Sequence, residues 1–182
     1  MALKATIFKA DLSISDMTRN YYHDHSITIA RHPSETDERM MVRLLAFALH
    51  AHEDLAFGNK IGSEEDEPDL CQKDPTGAIE LWIDVGQPEE KLVRKACGRA
   101  RHVDIYTYSG HGAAVWWRQN GPGLERLRNL TVINLPAAAA PALAKLAQRT
   151  MKFTCTIQDG QVWVSDGSET VHIDLQPAKA AG

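Results

Sequence analysis

Between Ala78 and Gly86 the chain reads Ala-Ile-Glu-Leu-Trp-Ile-Asp-Val-Gly, an apolar segment that carries two carboxylates and then passes through Gln87-Pro88 into a basic helical pattern. Side chains alternate along a strand, so Ile79, Leu81, Ile83 and Val85 share one face while Glu80, Trp82, Asp84 and Gly86 share the other. A carboxylate among such neighbours is costly unless it is paired. Glu80 and Asp84 therefore require counter-charges or donors, and a divalent cation is one candidate. Asp69 follows Pro68, whose ring fixes its own φ and restricts Glu67 before it, so Asp69 is expected to be held firmly at a neighbouring strand end or turn. Two carboxylates completed by water and phosphate suit Mg²⁺. Asp69 and Asp84 are the candidate metal ligands and Glu80 a reserve. Glu80 lies about 13 Å from Asp84 along an extended strand at roughly 3.3 Å per residue.

The segment after this strand, up to Ala100, predicts a helix. Leu92, Val93, Ala96, Cys97 and Ala100 form its packing stripe, leaving Lys91, Arg94 and Lys95 on a neighbouring face. Five bases and two acids fall between Glu89 and Arg101. That row is the strongest phosphate-binding candidate in the chain, weighed against an ordinary solvated face. Val103–Tyr108 follows closely, as in a parallel β-α-β crossover. Trp116-Trp117 is expected to pack in a core rather than to stack on bases.

Leu3–Ile14 alternates with a frame slip near Phe8-Lys9, which predicts a bulge, and Tyr21–Ala30 predicts its antiparallel partner. His23-Asp24-His25 places two imidazoles on one strand face. No third metal ligand is evident nearby in the sequence, so a polar face is the expectation. Pro33-Ser34 opens a helix, with Ser34 as cap, that runs to Phe57-Gly58; Met41, Leu44, Leu45, Ala48 and Leu49 form its buried stripe, and Arg39, Arg43, His50 and Glu53 lie elsewhere. Glu64-Glu65-Asp66-Glu67 predicts a solvated loop. Leu130–Leu135 predicts a strand and Pro141–Gln148 a short helix. From Met151 to Leu175 the pattern is an antiparallel meander with a hairpin at Asp159-Gly160, which is expected to join the N-terminal hairpin in a second sheet. Ala178–Gly182 is expected to be a frayed tail.

A chain of 182 residues can bury one substantial core. Its net charge of −4 argues against a generic basic coat for nucleic acid, though not against a local patch. Cys71, Cys97 and Cys155 lack paired zinc spacing and argue against a disulfide framework. With no signal-type start and no apolar run of about 20 residues, the expectation is a cytoplasmic protein without a membrane span.

Pro68-Asp69 followed by Ile83-Asp84-Val85 resembles the PD-(D/E)xK nuclease pattern, a proline-aspartate and then an acid, any residue and a lysine. The lysine slots hold Gly86 and Trp82 instead. Some members of that superfamily carry the lysine on the following helix, where this chain has Lys95 and Lys91; Lys95 is preferred. Over nearly its full length the chain resembles the bacterial YaeQ family. The matching runs are Met1-Ala-Leu-Lys-Ala-Thr-Ile, Ala30–Thr36 into Glu38–Met41, Leu81–Gly86, Lys95-Ala96-Cys97, Trp116-Trp117, Arg149-Thr150-Met151 and Ile157–Gly160.

The resemblance implies an α/β fold: a restriction-endonuclease-like mixed sheet flanked by helices, at about residues 33–136. An additional antiparallel sheet comes from terminal strands at 3–30 and 151–175, in one domain spanning 1–182. It further implies a Mg²⁺-dependent phosphodiesterase acting on nucleic acid, with Mn²⁺ as an alternative cation. Asp69, Asp84 and Lys95 would be catalytic, Asp69, Asp84 and Glu80 metal-ligating, Lys91 and Arg94 substrate-binding, and Glu38 or Glu53 a further acid from the first helix. The alternatives are a catalytically inactive module of this fold that binds nucleic acid or a protein partner, and purely structural acids paired with Arg94, Lys95 or backbone amides.

Overall fold

The alternation at the N-terminus becomes an eleven-residue strand, β1 (Thr6–Asp16), in an unbroken antiparallel register with β2 (Tyr21–Arg31) from Thr6↔Arg31 to Asp16↔Tyr21. The expected bulge at Phe8-Lys9 is absent. Phe8, Ala10, Leu12 and Ile14 all face the core while Ile7 is 45% exposed, so the inward frame starts at Phe8 and the earlier alternation points to solvent. Buried Asp16 accepts the Thr18 and Arg19 amides, both at 3.1 Å, which closes the hairpin. The computed structural model describes residues 4–58 and 66–182. The start of the matched run Met1-Ala-Leu, the strand start at Leu3, and Glu64 and Glu65 of the acidic run lie outside the described residues.

β8 (Thr150–Gln158), β9 (Gln161–Ser165) and β10 (Thr170–Asp174) complete the first sheet in the order β10-β9-β8-β1-β2. Asp159 and Gly160, with φ of 49° and 79°, make the turn that hairpin strands favour. β8 runs parallel to β1. The terminal sheet is therefore mixed rather than antiparallel throughout, because the chain returns to it by a crossover through the rest of the fold.

The first helix, α1 (Asp37–Leu49), starts two residues later than expected: Thr36 is its cap and accepts the Arg39 amide at 3.1 Å. It stops at Leu49, and Leu55–Phe57 forms a strand, β3, instead of continuing it. Met40 to Ala48 are all buried, Arg43 included. A single stripe was expected, but this helix lies between two sheets, so every side of it finds a packing partner.

The second sheet contains β3, β4 (Leu70–Lys73), β5 (Ile79–Val85), β6 (Ala100–Thr107), β7 (Leu130–Asn134) and β11 (Pro177–Lys179), in the order β11-β7-β6-β5-β4-β3. β5, β6 and β7 are parallel, joined through α2 (Glu90–Arg99) and α3 (His111–Leu124), and α4 (Ala139–Ala144) leads back to β8. Ile83 and Val85 face α1. Trp82, Val93, Ala96, Ile105, Trp116 and Val132 form a separate core under α2 and α3. Trp116 thus belongs to the core, as expected. The C-terminus is not frayed: β11 pairs with β7, Lys179 donates to the Leu130 carbonyl at 3.0 Å, and the Gly182 amide donates to the Arg128 carbonyl at 2.9 Å. Among the described residues no helix is long and apolar enough to cross a membrane.

Candidate functional site

The carboxyl ends of parallel strands are where open α/β sheets place their ligands, and the acids singled out in the sequence lie at that end of β5. The β4–β5 register pairs Leu70 with Ile83, and the Asp69 amide donates to the Ile83 carbonyl at 2.9 Å. Asp69, one residue before β4, is thereby fixed beside the end of β5 and is almost completely buried. Asp69 Oδ2 accepts the Val85 amide at 2.8 Å, and Oδ1 accepts Arg39 Nη2 at 2.7 Å.

Arg39 comes from the first turn of α1 and ties three groups together. Besides Asp69 it binds Glu35 and reaches the Val85 carbonyl at 3.4 Å. The other Glu35 oxygen accepts from Arg43, which also donates to the Ala30 carbonyl at 2.9 Å. Two guanidinium groups thus balance two carboxylates. Burial opposes the Arg39 charge, but Asp69, and Glu35 after it, outweigh that penalty and raise its pKa further.

Asp84 is also buried, and Trp82 Nε1 donates to its Oδ2 at 3.0 Å. It shares the Trp82 face, toward α2 and α3, whereas Asp69 is gripped by a residue of α1. The Lys95 ammonium is exposed and donates to Asp66 Oδ2 at 2.7 Å, holding the Asp66 carboxyl below its usual range. Arg94 binds Glu90 at 2.7 Å and the Gly123 carbonyl at 2.6 Å, and Lys91 lies exposed on the same helix. Glu80 faces Arg101 at 3.5 Å. The fold therefore brings Asp69 and Asp84 to one end of adjacent strands and engages Lys95, Arg94 and Glu80 with other partners. Glu38 is half-buried on α1, and Glu53 lies beyond the far end of that helix.

The donor set does not fit a Mg²⁺ centre as it stands. Both Asp69 oxygens face protein donors, and a guanidinium already meets its charge. Among the described residues no group of three His, Cys, Asp or Glu is arranged to hold a metal ion.

Sequence reasoning missed Glu35, Arg39 and Gln87. The amphipathic pattern marks Arg39 only as polar, and nothing local announces a partner thirty residues on. Gln87, just past β5, donates to the Tyr108 carbonyl at 2.5 Å and so joins the loops that follow β5 and β6. Those loops hold Gly86 at φ 112°, Ser109 at φ 84° and Gly110 at φ 51°. Positive φ at the non-glycine Ser109 is the kind of strain that clusters at ligand sites.

A family model described as YaeQ protein matches residues 1–175. The uncharacterized protein YaeQ of Escherichia coli K12 is 42% identical over 175 residues, 96% of each chain, and its Salmonella typhi counterpart is also 42% identical over the same span. The chain belongs to the YaeQ family. The crystal structure of YaeQ from Xanthomonas axonopodis pv. citri superposes with a TM-score of 0.93 at 49% identity, covering 97% of this chain and 99% of that one. The Pseudomonas syringae YaeQ structure gives 0.91 at 35% identity, covering 97% of each. In this YaeQ chain the runs that carried the resemblance fall at structural pivots. Glu38–Met41 opens α1, Leu81–Gly86 is most of β5 with the turn after it, and Lys95-Ala96-Cys97 lies within α2.

Proposed function

We propose that this YaeQ family chain is a nuclease-fold module that binds nucleic acid, with Arg39 serving as the resident counter-charge in the carboxylate pocket. The observation that carries this reading is the Arg39 guanidinium, bonded to Asp69 and Glu35 where a catalytic site would need open oxygen ligands. The phosphate-binding surface is the outward row of α2, Lys91 and Lys95, continued by Arg99 and Arg101, all exposed. Lysine and arginine there neutralise phosphates at any sequence, which displaces counterions and makes affinity fall steeply with salt. Fluorescence anisotropy with labelled single- and double-stranded DNA and RNA tests this. Affinity should fall as salt is raised, and the double variant Lys91→Glu, Lys95→Glu should reduce both affinity and the salt slope. Salt-independent binding, or none with any of the four forms, would point instead to a protein partner.

The second reading, a Mg²⁺- or Mn²⁺-dependent phosphodiesterase using Asp69, Asp84 and Lys95 with Glu80 in reserve, is favoured by one observation. Asp69 and Asp84 occupy the same end of hydrogen-bonded strands. Calorimetric titration with either cation, together with cleavage assays on the same four nucleic-acid forms, separates the readings: cation binding and cleavage that Asp84→Asn abolishes would establish the enzyme.

A further inference from the structure

α2 and α3 pack over β5, β6 and β7 on one face of the second sheet, and a cavity opens beside them over β3 and β4. The registers pair Ala56 with Cys71 and Cys71 with Trp82, so these three residues form one row across three strands on that face. Lys73 and Ile79, paired in the same way, continue it. This row is the floor of the cavity, whose volume of about 410 Å³ falls in the usual range of small-ligand sites, about 300–1,000 Å³. Gly58 and Pro68 close one end. A Cβ on Gly58 would lie 2.1 Å from the Pro68 carbonyl oxygen, so only glycine lets the two segments come this close, and the Gly58 amide donates to the Asp69 carbonyl at 2.8 Å. Arg99, at the end of α2, forms a wall. Its guanidinium carbon lies 4.9 Å from the centroid of the Trp82 ring and its Nη1 donates to the Asp66 carbonyl at 2.9 Å, which holds the guanidinium against the indole.

Around the floor stand two acids, Asp54 and Glu67, and two bases, Lys73 and Arg99. Burial raises the Cys71 pKa while Lys73 and Arg99 oppose that rise, so both cations lie near the floor. The formal charges of the lining cancel, which suits an uncharged planar group with donors and acceptors along its edge. Arg99 also ends the exposed basic row of α2 that begins with Lys91 and Lys95, so anionic groups belong just outside. A nucleobase joined to its phosphates has this pattern. We propose that the cavity takes the base of one unpaired nucleotide, with the flanking phosphates on Arg99, Lys95 and Lys91. The inference rests on the reading of α2 as a phosphate-binding surface and adds a preference for single strands, because a base must leave its stack to enter such a pocket. Unpaired bases stack on aromatic rings and guanidinium planes, and carboxylates accept from their amino groups. The exposed Lys95–Asp66 pair is weak enough in water to open for a phosphate.

Fluorescence anisotropy of the full chain with a labelled single strand, and with a strand of the same length built from abasic sites, separates base from phosphate. The abasic strand should bind about tenfold more weakly, the order that stacking one base supplies. Its salt slope should match, because the number of phosphates is the same. Ala56 is exposed on the edge strand β3, so Ala56→Phe fills the floor of the cavity with unchanged circular dichroism expected. It should bring the single strand down to the affinity of the abasic strand and leave the abasic strand and a duplex unaffected. As a second measurement, alkylation of Cys71 by iodoacetamide, mapped by mass spectrometry, should slow several-fold with the single strand and not with the abasic one. Equal affinity of the parent chain for the two strands, or single-strand affinity that survives Ala56→Phe undiminished, overturns the proposal, while salt-dependent binding in that same experiment leaves the phosphate-binding role of α2 standing. No binding of any strand overturns both.

Discussion

Removing Arg39 tests whether the carboxylate pocket is held together by protein charge. Arg39→Ala leaves Asp69, whose side chain is 2% exposed, bonded to the Val85 amide but without its cation, while Glu35 keeps Arg43. Truncating one partner of a buried ion pair costs about 3–5 kcal/mol because the other charge is left uncompensated. Arg39 itself is 25% exposed, so water can reach the vacated space and the loss should fall near the lower end, about 3 kcal/mol. For a chain of this size each kcal/mol moves Tm by about 2–4 °C, so a fall of about 6–12 °C is expected by calorimetry, with a matching shift in the urea midpoint. The double variant Arg39→Ala, Asp69→Asn removes the stranded charge while an amide oxygen can still accept from Val85. It should be more stable than Arg39→Ala alone by about 1–2 kcal/mol, within the range for relieving an unpaired polar group. Millimolar Mg²⁺ should raise the Tm of Arg39→Ala more than that of the parent chain. An Arg39→Ala variant within 1 kcal/mol of the parent, or a double variant no better than the single one, would refute the argument.

Two further outcomes follow from the same end of the sheet and from the core behind it. Gly86→Ala forces a side chain onto φ 112°, where the nearby space is open but the backbone is strained, and should cost about 1–3 kcal/mol by denaturant melts. Burial of Asp104 beside His50, 3.2 Å away, raises its pKa to about 6, while burial lowers that of His50 to about 4. A carboxyl whose folded pKa exceeds its unfolded value contributes stability below the unfolded value, and that contribution is lost as pH rises toward 6. A shift of about two units amounts to roughly 3 kcal/mol at most. Relative to the parent, Asp104→Asn should therefore gain on the order of 2–3 kcal/mol between pH 4 and pH 7. The His50 effect, of opposite sign, is present in both chains and largely cancels in the difference. Melts at several pH values that show a constant difference between the two would contradict this assignment.

Local pattern was enough for much of the fold. Alternation along Ile79–Val85, the basic amphipathic helix after it and the Asp159-Gly160 turn each specify an element from neighbouring residues alone, because strand and helix periodicity are properties of short segments. The terminal strand patterns pointed to a second sheet, and the family resemblance supplied the nuclease-like core beside it. What the pattern could not specify were facts about both sides of an element at once. α1 looked like a one-striped helix because a stripe is all that composition reveals, and only its place between two sheets buries Arg43 and turns Arg39 onto Asp69. The N-terminal frame slip was an artefact of counting apolar residues without knowing which ones the second sheet face would cover. The tail Ala178–Gly182 reads as frayed, yet Pro177–Lys179 pairs with the open edge of β7, whose backbone partners no local signal records. His52 and Glu53 line one cavity with His23, a neighbourhood that no local signal records either. The sequence by itself determined which segments become helices and strands and that Asp69 and Asp84 are costly to bury. Which charge neutralises Asp69, and which distant side chains share a cavity, depends on contacts between residues tens of positions apart, and only tertiary packing decides those.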